Sequence, residues 1–189
     1  LHWACFGQSE EAVEILVSHK VNTNAKDSVG RTPIFWAALN GDTRTIKTLL
    51  QNGASHLGRD IHDWTALRWA VAAARSDQLA FTRGLLARGA DPNLGDEKGL
   101  RPIHVAVQEG HTSIIKTLID SGAIIDVLDD CQRIPIHLAA LEGKQKVFDI
   151  LLSNGASPDM LDYQGWRPLN FAAWEGYTEA ARLLLKAGA

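Results

Sequence analysis

A motif that returns every 33 residues constrains this chain more than any other feature. Residues 101–111 read RPIHVAVQEGH, residues 134–144 read IPIHLAALEGK and residues 167–177 read RPLNFAAWEGY. Self-similarity at such a period marks a stack of small helical or mixed units, none of which can bury its apolar face without its neighbours. Asp27, Asp60, Asp96, Asp129 and Asp162 keep the register, with spacings of 33, 36, 33 and 33. The three extra residues of the third copy fall near Ala74-Arg75-Ser76-Asp77, between two helices, and read either as a partner-contacting loop or, since loops accept length at low cost, as a tolerated surface insertion. The period also disposes of an apparent site. His104 and His111 flank Glu109, and a spacing of seven on one helix would align both imidazoles. The next copies put Lys144 and Tyr177 in place of His111, and Gly110 breaks the helix between the two rings. The trio is scaffold, not a metal site or a general base.

Each copy has the same local grammar. Asp, then Gly30, Gly99 or Gly165 within three residues, makes a turn, because the carboxylate bonds nearby backbone and Gly accepts positive φ. Thr32-Pro33 follows as a helix start, with a hydroxyl at N-cap and Pro at the first helical position. Pro102, Pro135 and Pro168 share that place. Small pairs come next (Ala37-Ala38, Ala70-Val71, Ala106-Val107, Ala139-Ala140, Ala172-Ala173) and allow a close helix approach. Gly41, Gly110, Gly143 and Gly176 end this first helix. A second, amphipathic helix carries apolar residues at i, i+3 and i+4, as in Ile46, Leu49, Leu50 and Val147, Ile150, Leu151. It ends at Gly53, Gly89, Gly122, Gly155 and Gly188, each at a left-handed C′ position and each followed by Ala.

Turn, helix, Gly, helix, Gly-Ala, hairpin: the pattern resembles the ankyrin repeat. Thr32-Pro33-Ile34-Phe35, Arg101-Pro102-Ile103-His104 and Ile134-Pro135-Ile136-His137 stand where that family has Thr-Pro-Leu-His, and Gly89-Ala90-Asp91-Pro92-Asn93 where it has Gly-Ala-Asp-Val-Asn. The resemblance covers the whole chain as one array of six copies: 1–26 (partial), 27–59, 60–95, 96–128, 129–161 and 162–189 (partial). It implies an all-α solenoid of helix-turn-helix units joined by β-hairpin-like loops. By the same resemblance His2, His104 and His137 are hydrogen-bonding residues that steady the turns, and Asn93, with Leu85 upstream, is a candidate for hydroxylation. Departures are visible. Arg101, Ile134 and Arg167 replace the capping Thr, which predicts softer C-terminal repeats. Phe35, Arg68 and Asn170 replace the His, and Lys20-Val21 replaces Gly-Ala.

Composition narrows the function classes. Of 189 residues, 46% are hydrophobic and 22% charged, the balance of a folded chain rather than a disordered one. A net charge of −3 offers no field for nucleic acid or anionic lipid. No apolar run is long enough to span a membrane, and no signal peptide is visible. Two cysteines, Cys5 and Cys131, are no disulfide framework, so an intracellular home, cytoplasm or nucleus, is expected. Leu1-His2-Trp3 begins inside a motif and Ala189 stops inside one, which reads as a piece of a longer protein. No nucleophile elbow, P-loop, His-Glu-x-x-His or Cys-x-x-Cys occurs. No enzyme activity, cofactor, metal or small-molecule ligand is therefore expected.

A module for binding another protein is the expected function. In the ankyrin family the hairpin tips and first helices form a concave surface whose variable residues choose the partner. Carried over, those positions include Trp64, Leu100, Arg133, Tyr163, Trp166 and Trp174, with Glu109, Glu142 and Glu175 as an acidic ladder. Trp, Tyr and Arg dominate interface hot spots. They suggest a partner with Lys or Arg beside apolar anchors. The opposing readings are that the aromatics pack on adjacent hairpins and that Glu is only a good helix former on a wet face. Trp3, Trp36 and Trp69, also 33 apart, are read as core between helices because Val105, Leu138 and Phe171 succeed them. The alternative to a binding module is a passive spacer, or a regulatory array attached to an enzyme, channel or signalling domain elsewhere in the parent chain.

Overall fold

The computed structural model describes residues 1–73 and 78–189. The insertion at 74–77 lies outside the described residues. The chain forms two compact units, Leu1–Glu97 and Lys98–Ala189. The first holds α1 (His2–Phe6), α2 (Glu10–Ser18), α3 (Pro33–Asn40), α4 (Thr43–Gln51), α5 (Ala66–Ala72) and α6 (Gln78–Leu86). The second holds α7 (Pro102–Glu109), α8 (Thr112–Asp120), α9 (Pro135–Glu142), α10 (Gln145–Ser153), α11 (Pro168–Trp174) and α12 (Thr178–Lys186). Each unit is a stack of antiparallel helix pairs, the all-α solenoid architecture that the repeats imply. Odd-numbered helices pack on odd and even on even, α1 to α3 to α5 in one unit and α7 to α9 to α11 in the other.

The core sits between the two helix layers. Ala37, Ala38, Ala70, Val71, Ala106, Val107, Ala139, Ala140 and Ala172 are buried, so the small pairs admit close packing as their size dictates. Ile46, Leu49, Phe81, Leu85, Ile115, Leu118, Val147 and Leu151 bury the stripe of the second helices. Gly41, Gly110 and Gly143 cap the first helices in the left-handed region, at φ 68°, 77° and 62°. Lys20, in the place of a Gly, adopts the same conformation at φ 57°.

The hairpin tips are held by one recurring device. Asp27 Oδ1 accepts from the backbone N–H of Val29 and Arg31 at 3.0 and 2.9 Å. Asp60, Asp129 and Asp162 do the same to residues two and four further on. Adjacent tips join through the backbone within each unit: Ile61 N–H donates to Val29 O at 3.0 Å, and Tyr163 N–H to Cys131 O at 3.1 Å.

Helix capping differs from the sequence expectation. Thr32 makes no side-chain cap, and its buried Oγ1 has no partner, whereas Thr65 caps α5 by accepting from Arg68 N–H at 3.2 Å. Where Arg101, Ile134 and Arg167 replace the Thr, the side chain of the third helical residue makes a different bond, back to the N-cap N–H. His104 Nδ1, His137 Nδ1 and Asn170 Oδ1 accept the backbone N–H of those residues at 3.0, 3.2 and 2.8 Å. This is the return half of a capping box; the third helical N–H is left to the N-cap carbonyl, His104 to Arg101, His137 to Ile134 and Asn170 to Arg167, each at 2.9 Å. The histidines also do what the resemblance implies. With Nδ1 accepting, Nε2–H donates, in His104 to Val127 O at 3.0 Å and Arg133 O at 3.3 Å, and in His137 to Met160 O at 3.0 Å and Trp166 O at 3.3 Å. His2 Nε2 lies 3.1 Å from Arg31 O. Each ring ties one repeat to the next hairpin.

Candidate interaction surface

In Lys98–Ala189 the first helices bring the C-terminal carboxylates into line. Glu109 and Glu142 end α7 and α9, and Glu175 follows the last residue of α11. All three are exposed, and none takes an ion pair among the described residues. The tip residues Leu100, Arg133 and Trp166 are half-buried rather than fully displayed. Arg133 is occupied by its own turn, with Nε and Nη2 at 2.9 and 2.8 Å from Asp129 Oδ2. Trp166 sits with its ring centroid 5.1 Å from Phe171 and 5.9 Å from Trp174. Trp174 is 76% exposed and Tyr163 59%. This unit thus presents a shelf of aromatic carbon beside unpaired carboxylates.

Trp64 stands in Leu1–Glu97 and has different surroundings. It is half-buried, with the Arg68 guanidinium 3.6 Å from its ring centroid and Trp69 at 5.6 Å. Arg68 in turn pairs with Asp96 at 3.2 Å, and their side chains are 9% and 2% exposed. Arg31 reaches over Trp36 at 4.3 Å and Trp69 at 5.8 Å while its Nε bonds Asp27 Oδ2 at 2.9 Å. Trp69 Nε1–H donates to Asp60 Oδ2 at 3.0 Å. The reading of Trp3, Trp36 and Trp69 as interhelical core needs correction. Trp3 is 82% exposed, and Trp36 and Trp69 are half-buried between the chain's own arginines and aromatic rings. Only their later equivalents Val105 and Leu138 are core.

Sequence reasoning placed Arg31 at a hairpin tip and Arg68 at the His register but missed that both cover indole rings. The signal for Arg68 was present: it sits four residues after Trp64, at the His register, where a long cation reaches back over the ring. Elsewhere the buried titratable groups are structural. Burial pushes the His104 imidazole down to about 4 and the Cys5 thiol up to about 12. Burial likewise lowers His137. A thiol so displaced is un-ionised at neutral pH and inert as a nucleophile. Among the described residues no helix is long and apolar enough to cross a membrane.

Comparison with known proteins agrees with this geometry. A family model of ankyrin repeats matches three times, over residues 1–96, 70–162 and 103–189. Over 118 residues, 61% of this chain, the sequence is 35% identical to Ankyrin repeat protein nuc-2 of Neurospora crassa, of which that stretch is 11%. It is 35% identical over 104 residues to Putative palmitoyltransferase ZDHHC13 of Danio rerio, covering 54% of this chain and 15% of that one. It is 27% identical over 121 residues to Putative ankyrin repeat protein FPV223 of Fowlpox virus, covering 61% of this chain and 79% of that protein. The chain therefore spans only a small part of the first two relatives. Ankyrin repeats in general are protein-interaction modules without catalysis of their own. With the hairpin aspartates, the turn histidines and the Gly-capped helix pairs all in register, the chain belongs to the ankyrin repeat family.

Proposed function

We propose that this chain is an intracellular protein-interaction module, a scaffold that holds a partner on its hairpin tips and first helices and performs no chemistry. The observation that carries the reading is the exposed pair Trp174 and Tyr163 beside half-buried Trp166 in Lys98–Ala189. An apolar patch of this kind rimmed by charge marks a partner site. Leu100, Arg133, Glu109, Glu142 and Glu175 complete that face, and Trp64 holds the corresponding tip register in Leu1–Glu97, where Arg68 already covers its ring. The free thiols of Cys5 and Cys131 suit a reducing compartment.

Affinity capture from cell lysate tests it, with the intact chain and a Trp166→Ala/Trp174→Ala variant of matched helical melt as baits. A partner held by the first and lost by the second supports the reading; a partner held equally by both overturns this placement. A second reading, a regulatory array within a larger enzyme, draws on the similarity to a segment making up 15% of the putative palmitoyltransferase.

A further inference from the structure

The two units treat equivalent tryptophans differently. Trp64 and Trp166 hold the same tip register, and the residue four further on is Arg68 in one and Asn170 in the other. Arg68 lays its guanidinium 3.6 Å from the Trp64 centroid, and Arg31 likewise covers Trp36 at 4.3 Å. Thus Trp36, Trp64 and Trp69 of Leu1–Glu97 receive cations from within the chain, exposed Trp3 standing apart from them. In Lys98–Ala189 no cation lies over Trp166 or Trp174 among the described residues. The nearby candidates are committed elsewhere: Arg133 to Asp129 at 2.8 Å and Arg167 to Asp159 at 2.8 Å. An indole face attracts a guanidinium, most strongly where water is displaced. Beside this uncapped pair stand Glu175 and, one repeat back, Glu142, both exposed and unpaired among the described residues.

Aromatic face and carboxylate together fit one kind of side chain. We propose, resting on the interaction reading above, that this face takes an extended basic segment of the partner protein, with an arginine over Trp166 and Trp174 against Glu175 and a second basic side chain three residues along at Glu142. The spacing follows from two lengths. Packed helices stand about 8–10 Å apart, and a polyproline II segment advances about 3.1 Å per residue with three residues per turn, so side chains three residues apart share a face and match successive rungs. Glu109 is left out of the proposal, since the Lys144 side chain lies against neighbouring Gly110.

The test uses the full chain, a short Gly/Ser peptide with two arginines three positions apart, and NMR of the indole N–H groups. The signals of Trp166 and Trp174 are expected to move on titration while those of Trp36 and Trp64 stay. Citrulline in place of arginine, a neutral shape mimic, abolishes the shift. Glu142→Gln with Glu175→Gln weakens binding about tenfold, roughly threefold for each exposed charge pair. Asn170→Arg rebuilds the Trp64–Arg68 arrangement at Trp166, fills the slot from within and competes with the peptide. Equal binding of the citrulline peptide, or silent Trp166 and Trp174 signals, overturns the proposal. So does a captured partner that is lost with Trp166→Ala/Trp174→Ala but untouched by the Glu→Gln pair. That last result removes the basic segment and leaves the interaction reading standing. A partner indifferent to both variants removes the reading itself.

Discussion

Acidification should unfold Lys98–Ala189 through His104, and the size of the effect follows from the geometry. The ring is fully buried, with Nδ1 accepting from Arg101 N–H and Nε2–H given to the carbonyls of Val127 and Arg133. A proton on Nδ1 would point a donor at a donor inside a site that also disfavours charge. Burial accordingly lowers the group from 6.5 to about 4. A depressed folded value means that the unfolded chain takes up the proton first. The stability is therefore fully present above pH 6.5 and is lost as pH falls toward 4. The full span is worth about 3 kcal/mol at about 1.4 kcal/mol per unit, of which roughly 2 kcal/mol is lost between pH 7 and pH 5. Urea unfolding of the wild type and of His104→Asn at the two pH values isolates this share, because Asn170 already serves the same capping role without titrating. The variant starts less stable but should lose about 2 kcal/mol less between pH 7 and pH 5. Parallel losses in the two proteins would refute the assignment of the proton to His104.

Three further outcomes follow from the backbone and a well-buried ion pair. Gln132→Gly and Lys20→Gly, at φ 56° and 57°, should each raise stability by about 0.5–1 kcal/mol in urea titration, since left-handed strain outweighs the entropy that Gly adds to the unfolded chain. Gly99→Ala should lower the melting temperature more than Gly165→Ala: a Cβ at the first would stand 2.6 Å from Asp130 Oδ1 and 3.0 Å from Asp130 N, and at the second would meet nothing within 4 Å. Arg68→Met should cost about 3 kcal/mol by leaving Asp96 charged in a dry site, and adding Asp96→Asn should recover most of it, as chemical denaturation can measure.

The frame was legible in the sequence because it is periodic. Asp at a fixed offset, Pro at the helix start and Gly after each helix recur, and recurrence identifies them even where single residues are ambiguous. The capping substitutions were harder to foresee. Losing Thr at Arg101 and Ile134 removes the acceptor for the third helical N–H, while the imidazoles of His104 and His137 accept a different N–H, that of the N-cap residue itself. The tryptophans were hardest. Periodicity places Trp36 and Trp69 over buried Val105 and Leu138 in register, yet indole is larger than the slot between helices. Its edge emerges on the surface, where Arg31 covers it. Register fixes where a side chain starts; volume and neighbouring charge decide where it ends.

That last distinction separates frame from recognition in this chain. A tryptophan at a hairpin tip is by itself ambiguous, since indole serves equally as packing material and as a binding surface. What resolves it is whether the chain supplies the complementary group. At Trp64 it does: Arg68 covers the ring and Asp96 anchors Arg68, so each member of the triad has a partner. At Trp166 the same register holds Asn170, whose carbonyl oxygen is spent on the backbone of Arg167. The aromatic surface continues instead to Trp174, three-quarters exposed. Desolvating that much indole stabilises only a bound state, and the adjoining carboxylates favour a bound state that brings positive charge. On the proposed reading, a single side-chain difference at one register, Arg68 against Asn170, separates a self-satisfied tip from one that a basic segment of another molecule would complete.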